Sequence, residues 1–394
     1  MSGLHRDKTN GPVGLVNPAG LRQRWRMTDL QPAAEQLLTV DEFEQAARGV
    51  LPSTTFDYYA GGSGDLSSLH RNREAYAALA VHYRVFRDVS RCDLSCELLG
   101  HRLPHPILAA PTAFHCLADP EGEVATARGL GEAGALMTLS SLSTRTVEDV
   151  AAASSGPKWF QLYINRDRGF TLDLIARVEA AGYSAIVVTA DTPRWGTRYQ
   201  DIRNGFHLPP GLDAVNLVRS HADAATLSHS GAGLGSAFDW MLDAALTWHD
   251  FESVCRATRL PVLVKGVCRA DDALAAFDAG ATGVVVSNHG GRQMESAPAT
   301  VSVLPAIRAA VGPGRLLIVD GGIRRGVDAL KALALGANAV QLGRPVLWGL
   351  AAGGSGGVAR VIGAVRAELE QSMVLAGAAT LGALNPDLVA PWPR

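Results

Sequence analysis

Residues 281–293 read ATGVVVSNHGGRQ. The three successive valines, Val284, Val285 and Val286, form the β-branched run of a strand buried on both faces, not one stripe of a helix. The run breaks at Ser287 and Asn288, and His289, two glycines and Arg292 follow. A general-base candidate, a fixed cation and a pliant backbone thus stand at a strand's carboxyl end, where parallel α/β folds carry their chemistry. A lone His-Gly-Gly-Arg fits a hydrogen-bonded turn histidine beside a surface cation equally well, so the reading turns on how the other strands end.

Outward from that stretch one unit recurs after Pro106: a short apolar strand, a polar or Gly-rich end, then an alanine-rich amphipathic helix. Strands are expected at 107–111 (ILAAP), 136–141 (LMTLSS), 159–163 (WFQLY), 185–191 (AIVVTAD), 262–266 (VLVKG), 284–288 (VVVSN), 316–322 (LLIVDGG) and 340–344 (VQLGR). Helices are expected at 122–133, 171–181, 271–279 and 327–335, several closed by glycine. Eight such units predict an α/β fold, a closed (β/α)8 TIM barrel and not an open doubly wound sheet.

Ahead of the barrel, Thr39 reads as a helix N-cap with Glu42 as its capping-box partner and Phe43, Ala46, Ala47 and Val50 as an apolar stripe, a short N-terminal helical segment. Residues 1–37, rich in Gly, Pro, Asn and Arg without an apolar period, read as a mobile leader, and 38–394 as one barrel domain. Residues 192–247 form a long irregular connection after the fourth strand, expected over the active face as a lid or binding loop.

The 394 residues suffice for a full barrel core, and a formal charge of −2 without a Lys/Arg run argues against a nucleic-acid partner. No apolar run approaches the ~20 residues of a membrane span. Five scattered cysteines, with no secretory segment near the start, fit a reducing cytoplasm. Cys92 and Cys96 lack a second pair at metal-site spacing, so no metal is expected.

In a barrel the strand ends share one rim. They supply Thr112, Ser140 with Ser141, Gln161 with Tyr163, Thr189 with Asp191, Lys265, His289 with Arg292, Asp320-Gly321-Gly322 with Arg324, and Gly343-Arg344. Glycines followed by arginines at the last two strands suit a phosphate, held by backbone N–H groups and guanidinium. Thr112, Ser140, Gln161 and Thr189 can hydrogen-bond a planar heteroaromatic edge, and Lys265 can face an electron-rich ring atom. A phosphate with a polar-edged ring points to flavin mononucleotide; no GxGxxG supports a nicotinamide dinucleotide.

The segments FDYYAGGSGD (56–65), APTAF (110–114), DPEGE (119–123), FQLY (160–163), TADTPRWGTRYQD (189–201), VKG (264–266), SNHGGRQ (287–293), DGGIRRG (320–326) and LGRP (342–345) occur in consistent order from Thr39 to the C-terminus. With them the chain resembles the FMN-dependent 2-hydroxyacid oxidase and dehydrogenase family, which includes glycolate oxidase, lactate oxidase, mandelate dehydrogenase and 4-hydroxymandelate oxidase. The resemblance implies FMN held by Pro111, Thr112, Ala113, Ser140, Gln161, Thr189, Lys265, Ser287, Asp320, Gly321, Gly322, Arg324, Gly343 and Arg344. It implies a substrate carboxylate clamped by Arg198 and Arg292 with Tyr58 donating, Tyr163 at the hydroxyl or flavin side, and His289 as base oriented by Asp191. Lys265 would stabilise the anionic reduced flavin. It also implies a homotetramer.

One departure bears on the substrate. Glycolate-type members usually carry Trp after the Ser-Ser of the second strand, where this chain has Leu142. With Phe114 nearby, that side of the pocket is expected to be roomy and apolar, suiting a bulky or aryl 2-hydroxy acid such as mandelate, with O2 as acceptor. One alternative is a dehydrogenase passing electrons to a quinone or carrier. For that reading, Phe238, Trp240, Met241 and Leu242 are the membrane-contact candidates, but Asp239 and Asp243 interrupt them and argue against docking. The other is a barrel that binds FMN or a phosphorylated ligand without turnover. No role is assigned to His115 or Cys116.

Overall fold

The computed structural model describes residues 36–217 and 241–392. Eight parallel strands close into a barrel: β1 (Ile107–Ala109), β2 (Met137–Leu139), β3 (Lys158–Leu162), β4 (Ile186–Thr189), β5 (Val262–Val267), β6 (Gly283–Val286), β7 (Leu316–Val319) and β8 (Ala339–Leu342). Each pairs with the next in sequence, and β8 closes on β1. Every strand falls on an expected stretch. Most stop short of the expected ends, because residues such as Ser140, Asp191 and Asp320 leave the ladder for the mouth.

The valine run has a simple cause. Val285 belongs to the cluster inside the barrel with Leu108, Leu136, Trp159, Val187, Leu263, Ile318 and Ala339, whereas Val284 and Val286 pack in the layer between strands and helices. Side chains alternate along a strand, so the residue two positions on faces inward again. Those next inward positions are Ala110, Thr138, Gln161, Thr189, Lys265, Ser287, Asp320 and Gln341. Within one strand repeat the interior changes from an apolar layer to a polar one, and the polar layer is the floor of the mouth. At the opposite end Leu98 and Leu103, from the hairpin Cys96–Leu98 with His101–Leu103, join the apolar cluster.

The helices Val40–Val50, Ser53–Ala60 and Ser67–Ala77 precede the barrel. The first carries the expected capping box, Glu42 N donating to Thr39 Oγ1 at 3.3 Å and Thr39 N to Glu42 Oε2 at 3.0 Å. Its buried Phe43 and Ala47 are core residues, and it packs on the long C-terminal helix Arg344–Ala376. Leu37 is already buried; the rest of the expected leader lies outside the described residues, Gln36 excepted.

After β4 the chain passes through the short helix Tyr199–Arg203 to Leu217 and is described again from Met241. Both flanks are fastened over β2 and β3. Asn216 Nδ2 donates to Ser143 Oγ at 2.7 Å and to Arg145 O at 3.0 Å, and Arg166 N donates to Met241 O at 3.2 Å. Phe238 and Trp240 lie outside the described residues, whereas Met241 and Leu242 are buried in the core and present no membrane-facing surface. No described helix is long and apolar enough to cross a membrane.

Candidate active site

The strand ends enclose a cleft of about 940 Å³, counting its open mouth. On one wall His289 Nδ1 lies 2.9 Å from Asp191 Oδ1. The two come from different strand ends, and the approach needs a glycine. Gly266, at a bulge in β5 with φ +104°, would as any larger residue place its Cβ 2.6 Å from Asp191 Cβ. Burial pushes the His289 imidazolium below the ordinary histidine range, assisted by Lys265 and Arg198 and opposed by Asp191. Burial favours a neutral Asp191, yet His289 and Lys265 outweigh it and hold the carboxyl below its usual range. The pair is therefore neutral imidazole on carboxylate near neutral pH. With Nδ1–H donated to Asp191, Nε2 keeps a free lone pair, as a base requires.

Across from this pair stand the arginines. Arg198 is 5 % exposed and its Nη1 has no hydrogen-bond partner; Asp201 Oδ2 is 3.9 Å away and the guanidinium lies over the Trp195 ring. Burial, with Arg292 next to it, lowers its pKa to about 10, so it stays charged at neutral pH. A buried guanidinium with an unused donor is a site for an anion. Arg292 stacks its guanidinium 5.0 Å from the Tyr58 ring centroid while Nη1 donates to Tyr58 O at 2.7 Å and Gly61 O at 2.9 Å. Tyr58 and Tyr163 are buried, and burial raises both phenol pKa values, so each O–H is a donor at neutral pH. Leu142, 3 % exposed, and Trp195 supply apolar wall.

On the floor, Lys265 Nζ pairs with Asp320 Oδ2 at 3.1 Å and donates to Ser287 Oγ at 2.9 Å. Burial disfavours its charge, but Asp320 and Asp191 more than restore it and hold the ammonium above the ordinary lysine range. Gln161 Oε1 accepts from Ser140 Oγ at 3.2 Å and Ser141 N at 3.1 Å, which leaves Gln161 Nε2 buried without a partner. Gln341 Oε1, also buried, has none either. These orphaned groups line the cleft with Thr189, Pro111 and Ala113. They fit a planar ligand whose edge offers acceptors and donors, the character of a flavin ring.

The phosphate-type end is the turn Asp320-Gly321-Gly322 with Arg324, beside Gly343 at the start of helix Arg344–Ala376. Gly322 has φ +85°, and a Cβ there would lie 2.1 Å from Asn72 O. Arg324 Nε is buried without a partner. A helix N-terminus, a glycine turn and an unpartnered guanidinium N–H fit an anion of phosphate type.

Most residues expected at the site line this cleft, with corrections of placement. Phe114 does not line it: it is fully buried behind Tyr58, its carbonyl accepting from Tyr59 O–H at 2.7 Å. Ser287 sits beneath the surface as an acceptor for Lys265 and for His289 N, and Asp191 reaches the cleft only through His289. The Thr112 hydroxyl is 2.7 Å from His115 Nε2, engaged with a side chain to which sequence assigned no role. The Arg344 guanidinium donates to Tyr59 O, Gly290 O and Gly61 O. Residues not expected from sequence are Tyr59, Ala110, Trp195, Gly290, Ile323, Gln341 and Leu347. Gln341 was legible by strand alternation, two positions after Ala339, and Trp195 lies inside a motif already singled out.

Residues 47–391 match the family model described as FMN-dependent dehydrogenase. The chain is 46 % identical over 344 residues to L-lactate oxidase from a Nostoc species, covering 86 % of this chain and 94 % of that protein. It is 44 % identical over 356 residues to glycolate oxidase 3 from Oryza sativa, covering 89 % and 95 %. Among solved structures, mandelate oxidase with (S)-4-hydroxymandelic acid superposes with a TM-score of 0.84 at 43 % identity, over 88 % of this chain and 97 % of that one. With the cleft's donor set, these matches identify the chain as a member of the FMN-dependent 2-hydroxyacid oxidase and dehydrogenase family, an oxidoreductase of CH–OH donors with FMN as its cofactor.

Proposed function

We propose that the protein oxidises a 2-hydroxy acid with a bulky, aryl side chain, of mandelate type, to the 2-oxo acid, with O2 as the final acceptor. The observation that carries the acid is Arg198, buried and charged with Nη1 making no hydrogen bond and only a 3.9 Å approach to Asp201, in one cleft with His289 of the His289–Asp191 pair. Arg198 and Arg292 bind the carboxylate, with Tyr58 donating to it, and so turn the 2-hydroxyl toward His289. His289 takes the hydroxyl proton on Nε2 while the hydrogen on C2 leaves with its electron pair. Asp191 holds the ring in the tautomer that leaves Nε2 free and stabilises the imidazolium as it forms. Tyr163 donates at the hydroxyl side. Bound FMN supplies the acceptor for the two electrons.

Residues on the floor serve the cofactor: Gln161, Ser140 and Thr189 its ring edge, and Gly321, Gly322, Arg324 and Gly343 its phosphate. Lys265 keeps a positive charge at the floor, which favours an electron-rich ligand. The aryl preference rests on Leu142, an isobutyl group where an indole would fill the space, with Trp195 on the apolar wall. The reading includes a cytoplasmic homotetramer, in keeping with the family resemblance and the five unpaired thiols.

The test is anaerobic mixing of the holoenzyme with glycolate, lactate, mandelate and 4-hydroxymandelate, followed by air. Bleaching by the aryl acids first and prompt recolouring are expected. Bleaching without recolouring sinks the O2 reading, and no bleaching by any of the four sinks the 2-hydroxy-acid reading.

A further inference from the structure

The turn that carries His289 is held from outside the barrel. Asn72, on helix Ser67–Ala77, and Asn288 exchange two side-chain hydrogen bonds, Asn72 Nδ2 to Asn288 Oδ1 at 2.8 Å and Asn288 Nδ2 to Asn72 Oδ1 at 2.9 Å. Both amides are buried. Asn288 then spans the whole turn, donating to Pro298 O at 3.0 Å and accepting from Gly291 N at 3.2 Å. The turn needs that support. His289, Gly290 and Gly291 have φ of +57°, +63° and +73°, a left-handed run that a residue with a Cβ enters only when its surroundings over-determine it. Ser63 N adds a bond to Gly291 O at 2.9 Å.

We infer that Asn72 is a positioning residue for proton abstraction: it fixes Asn288, Asn288 fixes the left-handed turn, and the turn keeps His289 Nδ1 2.9 Å from Asp191. The inference rests on the reading of His289 as the base. The Asn72 backbone carbonyl lies against Gly322 and stays in place on substitution, but the Asn72 and Asn288 amides also border Gly321, where a Cβ would lie 3.2 Å from Asn72 Nδ2 and 3.4 Å from Asn288 Oδ1, so FMN binding has to be read beside the rate.

The experiment compares Asn72→Ala, Asn72→Asp, Asn288→Ala and the double variant Asn72→Ala/Asn288→Ala as holoenzymes. Three quantities are read: the anaerobic flavin-reduction rate at saturating mandelate, the Kd of FMN, and the Kd of benzoylformate from perturbation of the flavin spectrum. Asn72→Ala is expected to slow reduction by ~10- to 100-fold, a fraction of the contribution of a general base. Both Kd values should stay within about threefold, and the double variant should lose no more than the worse single, because the two amides act as one unit. A rate within about twofold of the parent overturns the inference, as does a loss matched by equal weakening of FMN binding and a fall in Tm. If Asn72→Ala does not fold, Asn72→Asp, which replaces one donor by an acceptor at equal size, carries the same test. His289→Ala run alongside separates the two claims: an unaffected rate there refutes the base, whereas a large loss there with none in Asn72→Ala refutes only the positioning role.

Discussion

Replacing Asp191 by Asn removes one charge at almost constant shape and so isolates the electrostatics of the base proposed above, His289. At 2.9 Å, Coulomb's law at an effective dielectric of 20 gives about 6 kcal/mol between carboxylate and imidazolium. On the proposed mechanism, the charge on His289 is partly developed in the transition state. If about half of that interaction is realised there, the loss of about 3 kcal/mol corresponds to a ~10²-fold slower reduction step. The pH dependence has a definite sign. With His289 as the proposed base, activity needs its neutral form, so the rate should rise with pH through its pKa. In the parent, burial, Lys265 and Arg198 lower that pKa and Asp191 opposes them. Without the carboxylate only the lowering influences remain, so the acidic limb should move to lower pH while the plateau falls. Stopped-flow bleaching of the flavin by saturating mandelate across pH measures both. A fall of less than tenfold, or a limb moved upward, in a variant with normal FMN content would refute the reasoning.

Leu142→Trp should close the space left for an aryl group. At ~25 cal/mol per Å² over roughly 100 Å² of phenyl surface the change is about 2.5 kcal/mol, a ~70-fold fall in kcat/KM for mandelate relative to glycolate, and an unchanged ratio would remove the pocket argument. Gly322→Ala forces a Cβ to within 2.1 Å of Asn72 O at φ +85°, so the Kd of FMN should rise at least ~10-fold by fluorescence titration. Removal of FMN should lower Tm, because free ligand at 100-fold its Kd stabilises by about 2.7 kcal/mol. Phosphate should restore part of that shift, and a Tm indifferent to both would contradict the anion site assigned to Arg324 and Gly322.

The parts of this molecule legible in its sequence are those governed by short periods. Each repeating unit ends its strand in polar or Gly-rich residues, so Lys265, Gln161 and Asp320 could be assigned to one rim before any contact was known. Glycine followed by arginine marked the ends of β7 and β8 for the same reason. Long-range side-chain partnerships carry no such period. His115 bonds Thr112 through Nε2 and Thr126 through Nδ1 only because Phe114 turns left-handed at φ +60° and throws the imidazole into the protein, and Phe114 is itself thereby buried away from the cleft. Asn72 was invisible for another reason. It lies in SSLHRNREAYA, a polar helix whose buried face is set by the barrel loops it meets, not by an apolar stripe of its own.

The fixed cations of the mouth illustrate how the preceding helices complete the barrel. Helix Ser53–Ala60 ends with carbonyls that the helix itself does not satisfy, at the negative end of its dipole. Arg292, from the turn after β6, donates to Tyr58 O and Gly61 O, and Arg344, after β8, donates to Tyr59 O and Gly61 O. Two arginines from opposite sides of β7 thus meet on one helix terminus. Each is a half-buried charge with other cations close by, and burial with Arg292 and Arg324 nearby drives the Arg344 pKa well below the ordinary range. Backbone carbonyls satisfy these N–H groups without neutralising them, so positive potential persists at the mouth at a fixed position. On the function proposed above, the substrate carboxylate meets Arg292 as a cation already fixed in place, which is the condition under which electrostatics contributes most to a barrier.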